Sequence, residues 1–333
     1  DLVPVVQALS AMFIIQAFSA VPLALLQRDL AFSRFAMIET MSFLLGYALV
    51  GSVLALLGAG VWALVGAQLG YSSVRSVALL VARPHPKSVH LERAAAVDIL
   101  SFGGGNTLGR FFNYAALQGD YLMVGRLMSA ASLGIYGRAY QLAVRPAMLL
   151  GQALDKVMFP TMSKLQHDPE RLGRAYLRTV SIAASVSAPV AAVGVILGPE
   201  TVRVVLGPGW DEAVVPFQIL AAGLSFRMGY KVSDTLARAM GNVYSRAWRQ
   251  AVYAGLVVAG AGIGTRWGLD GVAALVAVAI VINHLIMAEL SLASLGIRRA
   301  TFAAAHMRGL GLGAATVGLI LPMTLLLRSV GAN

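Results

Sequence analysis

Five polar side chains lie on one face of an apolar segment, 132–165, and three of them are cations. Their spacings of 3, 4, 7 and 4 residues place all five on the same side of a helix. A cation at the centre of a bilayer costs about 2.5–3.5 kcal/mol on insertion scales. Such a face is hard to keep unless it lines water, protein or a charged ligand, so it predicts a polar pathway inside a membrane protein. The members of this cationic stripe are Arg138, Gln141, Arg145, Gln152 and Lys156.

The segment before it, 97–124, carries a second polar face, whose members are separated by 4, 3 and 7 residues. Consecutive spans joined by a short turn are usually neighbours, so the two polar faces can meet. With Asp155 included, the combined surface holds more positive than negative charge. Convergent arginines are typical partners of phosphate, which favours an anionic ligand. The members of the second face are Asn106, Arg110, Asn113 and Asp120.

A purely structural interpretation of these residues stays open. Opposite charges such as Arg110 and Asp120 can neutralise each other. Arg138 and Lys156 lie near the two ends of their segment and can extend to the membrane surfaces. Arg145 lies too deep for that, so the prediction of a binding site depends mostly on Arg145.

Further charged residues allow two interpretations each. One group, whose members are separated by 4, 3 and 4 residues, forms either a solvated helix end or the entrance to a site; its members are Arg227, Lys231, Asp234 and Arg238. Asp120 and Asp155 are candidates for ion coupling, because intramembrane carboxylates often carry protons or ions. Glu39, Asp98, Glu289 and His284 are either proton relays or packed polar groups.

The composition indicates that long helices in lipid must position these residues. The chain has 333 residues, 58% of them apolar and 12% charged, whereas soluble domains are about 45–50% apolar and about 25% charged. Ten segments are long and apolar enough to span a bilayer, which predicts an all-α polytopic membrane protein with about ten transmembrane helices. The segments are 3–26, 35–57, 60–81, 97–124, 132–165, 180–197, 213–230, 248–267, 269–295 and 310–327.

The net charge of +11 is distributed as in membrane proteins. Seventeen of the 26 Lys and Arg residues lie in alternate connections, and four lie in the opposite connections and the tail. This bias predicts the cytoplasmic side by the positive-inside rule. It explains the basic composition without a nucleic-acid partner. The longest connection, 82–96, is rich in Pro and charge and is interpreted as a cytoplasmic linker between two bundles.

The sequence has no pattern typical of an enzyme, and we predict none. It contains no phosphate-binding G-x-x-x-x-G-K-[ST] motif, so no ATP site is expected. Its five histidines lack metal-ligand spacing, and it has no cysteine. We therefore predict no cofactor and no metal site.

Several motifs in collinear order resemble the bacterial polysaccharide flippases of the O-antigen (Wzx) type. This family belongs to the multidrug/oligosaccharidyl-lipid/polysaccharide (MOP) exporter superfamily. The chain departs from the family where Ala115–Gln118 follows Asn113 and Tyr114, because a cation is often found there. The motifs are VPLALLQRDL at 21–30, LLGAGVWALV at 56–65, LGIY at 133–136, RAY at 138–140 and LGPGW at 206–210.

The resemblance implies a two-lobed bundle around a central cavity, in the bacterial inner membrane. It implies alternating-access movement of an undecaprenyl-pyrophosphate-linked oligosaccharide, driven by an ion gradient or membrane potential. Membrane lipids and other glycan-assembly proteins are the expected partners. About three N-terminal helices of the family are expected to be missing here. The implied domains are an N-terminal lobe remainder with three spans, a linker, a C-terminal lobe with six spans and one additional span, at 1–81, 82–96, 97–297 and 298–333.

In this interpretation Arg110, Arg138, Arg145 and Lys156 hold the pyrophosphate and sugar, while the Asn and Gln residues of both faces bind sugars. Two alternatives stay open. A membrane-embedded polysaccharide polymerase or ligase needs catalytic groups in large outer loops, and the predicted outer loops are short. A MATE-like antiporter of cationic drugs needs an acidic cavity, whereas the predicted surface has excess positive charge.

Overall fold

A computed structural model of the chain describes residues 3–84 and 92–330, and every element in these ranges is helical. The chain divides into two compact units, 1–91 and 92–333. Of the predicted linker at 82–96, residues 85–91 lie outside the described ranges. The helices of the first unit are α1 (Val3–Arg28), α2 (Phe32–Ser42), a π-helical turn (Phe43–Leu49), α3 (Val50–Leu56) and α4 (Val61–Ala82).

The second unit contains nine described α-helices. Its chain turns are marked by short 3-10 helices and by glycines with positive φ, such as Gly296 at +63°. The helices are α5 (Arg93–Leu127), α6 (Ala130–Lys164), α7 (Pro169–Ile196), α8 (Gly198–Leu206), α9 (Val214–Ala222), α10 (Leu224–Ala239), α11 (Val243–Gly264), α12 (Gly268–Leu295) and α13 (Arg299–Val330).

The predicted helical character is confirmed, and seven of the ten predicted segments coincide with helices that qualify as spans by length and composition. Six apolar stretches qualify within the described residues, and one of them, Val243–Leu295, contains both α11 and α12. The other three predicted segments coincide with α5, with α6 and with the pair α9–α10. These carry the polar residues discussed below.

Polar side chains cap the N-termini of two of the helices. Asp168 caps α7, because its Oδ1 accepts the Arg171 backbone N–H at 3.0 Å and Pro169 follows in the first turn. Ser129 caps α6 in the same way, accepting the Ser132 backbone N–H at 3.0 Å. Helix α7 therefore begins eleven residues before the predicted apolar segment and includes the basic stretch before it.

The first unit is built on α4, against which α1, α2 and the π-helical turn pack. A half-buried carboxylate joins two of these helices. Glu39 accepts hydrogen bonds from the Tyr71 hydroxyl at 2.5 Å and from Arg75 Nε at 2.8 Å. Intramembrane Glu39 is thus paired, and this favours the packed interpretation of that residue.

The second unit is built around α10, which packs against α6, α7 and α12 and is buried over most of its length. Helix α5 packs chiefly on α11, and α13 packs chiefly on α7. Four tyrosines are completely enclosed in this core: Tyr136, Tyr176, Tyr230 and Tyr253.

Helices α13 and α7 meet through small residues. A Cβ at Gly309 would lie 2.5 Å from the Ala184 carbonyl carbon, and one at Gly313 would lie 3.2 Å from Ala188 Cβ. Small residues let transmembrane helices approach closely. We call these two contacts the Gly309–Gly313 seam.

Gly309→Ala is expected to destabilise the protein by about 1–3 kcal/mol, because the added methyl group meets backbone that cannot move away alone. Gly311→Ala is the matched control on the same helix, since a Cβ there has nothing within 4 Å. It should be neutral or slightly stabilising, as alanine favours helix. Thermal unfolding in detergent measures both, and equal melting temperatures for the two variants would contradict the seam.

An ion pair joins α13 to α8 beyond the seam. Arg328 donates to both carboxylate oxygens of Glu200, at 2.8 and 2.9 Å, and to the Ile196 carbonyl at 3.2 Å. These hydrogen bonds from Arg328 hold the pKa of Glu200 below its usual range. The stabilisation from this pair is therefore present at neutral pH and is lost as the pH falls through the lowered pKa.

Candidate functional site

The four charged residues of α10 lie in the interior of the second unit. Arg227 is 4% exposed and Asp234 is 5% exposed, so the interpretation as a solvated helix end is wrong for both. Helix α10 restarts at Leu224 after Gly223, which places Arg227 in its first turn. Burying this many charged side chains is costly, so we expect them to pair with one another or to take part in binding.

Asp234 is the centre of a buried ionic cluster. Its Oδ1 accepts from Arg246 Nε at 2.5 Å and from Gln250 Nε2 at 3.4 Å, and its Oδ2 lies 3.4 Å from Arg238 Nε. Arg246 is 3% exposed, and Gly109 on α5 leaves the space for its guanidinium. We call Asp234, Arg238, Arg246 and Gln250 the Asp234 cluster.

The Asp234 cluster links α10 and α11 to two further helices. Towards α6, Asp155 forms an ion pair with Arg238 and accepts from the Thr235 hydroxyl at 2.6 Å. Towards α5, the Asn113 amide donates to Gln250 at 3.0 Å and its oxygen lies 3.5 Å from Lys231 Nζ. One charged network therefore connects four helices of the second unit.

Arg227 stands outside that network. Its Nη1 donates to the Tyr140 hydroxyl at 3.3 Å, and its Cζ lies 5.4 Å from the centre of the Tyr140 ring. It has no carboxylate within ion-pair distance among the described residues. The first turn of a helix also bears partial positive charge, so a cation there is doubly unfavourable without an anion.

Asp120 lies beside the same tyrosines and is completely buried. It accepts from the Tyr136 hydroxyl at 2.8 Å and from the Tyr121 backbone N–H at 2.9 Å. Tyr136 and Tyr140 have ring centroids 6.1 Å apart, and Arg227 interacts electrostatically with Asp120. Asp120 of α5 therefore faces α6, but it meets Tyr136, which is not a member of the cationic stripe. Asn113 of the same predicted face meets Gln250 on α11 instead, so the two predicted polar faces do not meet as a whole.

Two adjacent cavities lie against these residues, and both include Leu117, Val144 and Met148. The first, about 150 Å³, has three cations and two carboxylates in its wall. The second, about 390 Å³, adds Arg145 and Gln141. Together the two cavities have more positive than negative charge. The ionic residues of the first are Arg227, Lys231, Arg238, Asp155 and Asp234.

The structure places four of the predicted site residues at these cavities: Gln141, Arg145, Gln152 and Asp155. Asn113 lies in the network behind them. Asn106 contributes its backbone carbonyl, 3.5 Å from Arg246 Nη1, and its own side-chain oxygen is buried without a hydrogen bond. Three predicted cations are exposed and are not among the lining residues: Arg110, Arg138 and Lys156.

Sequence reasoning did not select Tyr140, Arg246 or Gln250 for the site. Arg246 was counted among the basic residues of a cytoplasmic connection, although it is buried in an ion pair. A signal existed, because Asp234 and Arg246 lie on either side of a tight turn and helices joined in this way are neighbours. No group of three metal-ligating side chains comes together within 3–84 and 92–330.

This helical fold with a polar, net cationic interior defines a polytopic membrane protein. The profile of the polysaccharide biosynthesis protein family matches residues 1–215, and the chain belongs to that family.

Several relatives are 26–29% identical to this chain over the aligned residues. It is 28% identical over 246 residues to the lipopolysaccharide biosynthesis protein WzxC of Escherichia coli K12, covering 71% of this chain and 48% of WzxC. It is 26% identical to the teichuronic acid biosynthesis protein TuaB of Bacillus subtilis 168, and the aligned residues cover 66% of this chain and 46% of TuaB. It is 29% identical to the succinoglycan biosynthesis transport protein ExoT of Rhizobium meliloti, and the aligned residues cover 64% of this chain and 43% of ExoT. The chain spans about half the length of these relatives.

Two solved structures share the fold. The crystal structure of MATE in the bent conformation has a TM-score of 0.67 at 17% identity, covering 93% of this chain and 69% of MATE. The lipid II flippase MurJ in an inward closed conformation has a TM-score of 0.60 at 12% identity, covering 97% and 75%. The predicted fold class is confirmed, and so is the predicted relation to polysaccharide biosynthesis proteins.

Proposed function

We propose that the protein moves lipid-linked oligosaccharide units, carried on undecaprenyl pyrophosphate, across the bacterial inner membrane by alternating access. Membership of the polysaccharide biosynthesis family and the transport role printed for ExoT support this proposal. The flippase fold shared with MurJ supports it as well. The connection 82–96 is the proposed hinge, and the proposed activity is transport without catalysis.

The observation that carries the proposal is the cationic wall shared by the two cavities. Among the described residues Arg227 is buried without an ion pair. Lys231 Nζ lies 3.5 Å from the Asn113 amide oxygen and 5.6 Å from the centre of the Tyr230 ring, and Arg145 lines the adjoining cavity. Pyrophosphate is a compact polyanion that arginine and lysine bind through charge-assisted hydrogen bonds. Gln141 and Gln152 add donors and acceptors for sugar hydroxyls. Asp120 and Asp155 are the proposed ion-coupling residues.

Arg145→Ala in the complete protein is expected to abolish glycan export while expression stays normal, because Arg145 is exposed at the cavity and makes no ion pair with the described residues. Export of the glycan in cells that lack the native transporter measures the effect. Arg126→Ala, an exposed arginine at the end of α5, is the matched control and should export normally. Unchanged export by Arg145→Ala would remove Arg145 from the site.

Antiport of cationic drugs is a second candidate, favoured by the likeness to MATE. The net positive cavities oppose it, because they repel a cationic ligand. Binding of a lipid pyrophosphate and of a lipophilic cation to the purified complete protein separates the two. The flippase proposal expects binding of the pyrophosphate alone.

A further inference from the structure

Two histidines face each other in the second unit, away from the cavities. His284 lies midway along α12, and His306 lies in the second turn of α13. Their ring centroids are 5.8 Å apart and the rings are nearly perpendicular, at 80°. His284 is 5% exposed, and His306 is partly buried. We call them the His284–His306 pair.

The surroundings of His284 fit its ring but leave one nitrogen without a partner. A Cβ at Gly229 of α10 would lie 2.6 Å from His284 Nδ1, so the glycine leaves the space that the imidazole fills. Phe226 and Phe302 complete the enclosure, with ring centroids 5.7 and 6.0 Å away. Within the described part of the chain, Nδ1 of His284 is buried and has no hydrogen bond.

His306 has a defined tautomer. Its Nδ1 lies 3.0 Å from the Phe302 carbonyl oxygen. A carbonyl oxygen only accepts, so Nδ1 must carry the hydrogen. In the neutral ring the other nitrogen, Nε2, then holds the lone pair and is ready to accept a proton.

We propose that the His284–His306 pair is a proton-binding site between α10, α12 and α13, and that it holds one proton at a time. The enclosure of His284 disfavours a charge on its own ring, so the proton is held by His306, which is only partly buried. Two imidazolium charges 5.8 Å apart repel strongly. At an effective dielectric constant of about 20, the second proton binds about a hundredfold more weakly than the first.

Other charged groups lie elsewhere on the helices packed around the pair. On α10, Arg227 and Lys231 line the cavity, about half a turn around the helix from Phe226 and Gly229. Glu289 on α12 pairs with Arg299 at the surface, at 3.0 Å. On α7, the Tyr176 hydroxyl is hydrogen-bonded to Ser233 at 2.9 Å, and Arg308 on α13 is exposed. Among the described residues, these charged groups therefore do not face the His284–His306 pair.

The test is a pH titration of the complete protein, labelled with ¹⁵N-histidine, in lipid nanodiscs. His306→Gln is expected to shift the midpoint of His284 to higher pH by at least about one unit, because the neighbouring charge is gone. His167→Gln is the control, since His167 is exposed before α7, and it should leave the midpoint unchanged.

An unchanged His284 midpoint in His306→Gln would overturn the proposal. So would the absence of any titration of both rings between about pH 4 and pH 9. Where His306→Gln fails to give a monodisperse protein, His284→Gln with His306 as the observed ring provides the same comparison. The measurement follows proton binding alone, so it is independent of the transported substrate.

Discussion

Asp234→Leu is expected to prevent stable folding or to lower the free energy of unfolding by about 3–5 kcal/mol, the cost of leaving buried charge unpaired. The substitution removes the carboxylate that accepts from Arg246 at 2.5 Å and faces Arg238 at 3.4 Å. Arg238 keeps Asp155 as a partner. Arg246 keeps only a weak contact with the Asn106 carbonyl, at 3.5 Å. Thermal unfolding and monodispersity in detergent measure the loss.

A double variant separates lost pairing from lost packing. Asp234→Leu with Arg246→Met removes both charges and fills the space with apolar atoms, so it should recover much of the stability lost by Asp234→Leu alone. Asp211→Leu, at an exposed aspartate, should melt like the wild type. A double variant no more stable than Asp234→Leu would contradict the importance of the Asp234–Arg246 pair.

Arg227→Gln is expected to weaken binding of undecaprenyl pyrophosphate by about tenfold to a hundredfold, the range for loss of hydrogen bonds from a charged donor. Arg227 lines the cavity and has the Tyr140 hydroxyl as its hydrogen-bond partner, at 3.3 Å. Its guanidinium therefore has donors to offer to a phosphate. Arg227→Lys should be intermediate, because it keeps the charge and loses the planar fork. Native mass spectrometry of the complete protein with added lipid measures the affinity.

Stability distinguishes a binding role of Arg227 from a structural one. A buried cation without an ion pair is unfavourable in the absence of ligand, so Arg227→Gln should melt no earlier than the wild type. Arg203→Gln, at an exposed position on α8, is the control for the charge change. Normal binding together with a lowered melting temperature would show that Arg227 is a structural residue.

Much of the fold could be predicted because long apolar runs in lipid must be helical. Boundaries were less accessible where charge is buried. The predicted segment 213–230 ends before Lys231, yet α10 continues to Ala239. Hydropathy cannot recognise that Asp234 and Arg238 stay inside the bundle, since their partners are on other helices.

The candidate site was predicted only in part for the same reason. Helical spacing identifies residues on a common face, and it did bring Gln141, Arg145 and Gln152 to the cavity wall. Spacing does not identify the helix that this face meets. The pairing of Asp155 with Arg238, 83 residues away, depends on the packing of α6 against α10.

The Gly309–Gly313 seam and the Arg328–Glu200 pair act on the same two helices. Helices α7 and α13 run in parallel, since Gly309 and Gly313 meet Ala184 and Ala188 in the same order. Sliding α13 by one turn would bring either Val317 to Ala188 or Ala305 to Ala184, where the contacts leave no room for a larger side chain than glycine. The seam therefore admits a single register, in which Arg328 meets both oxygens of Glu200. This register also fixes the position of His306 along the bundle, because His306 and Arg328 belong to the same helix.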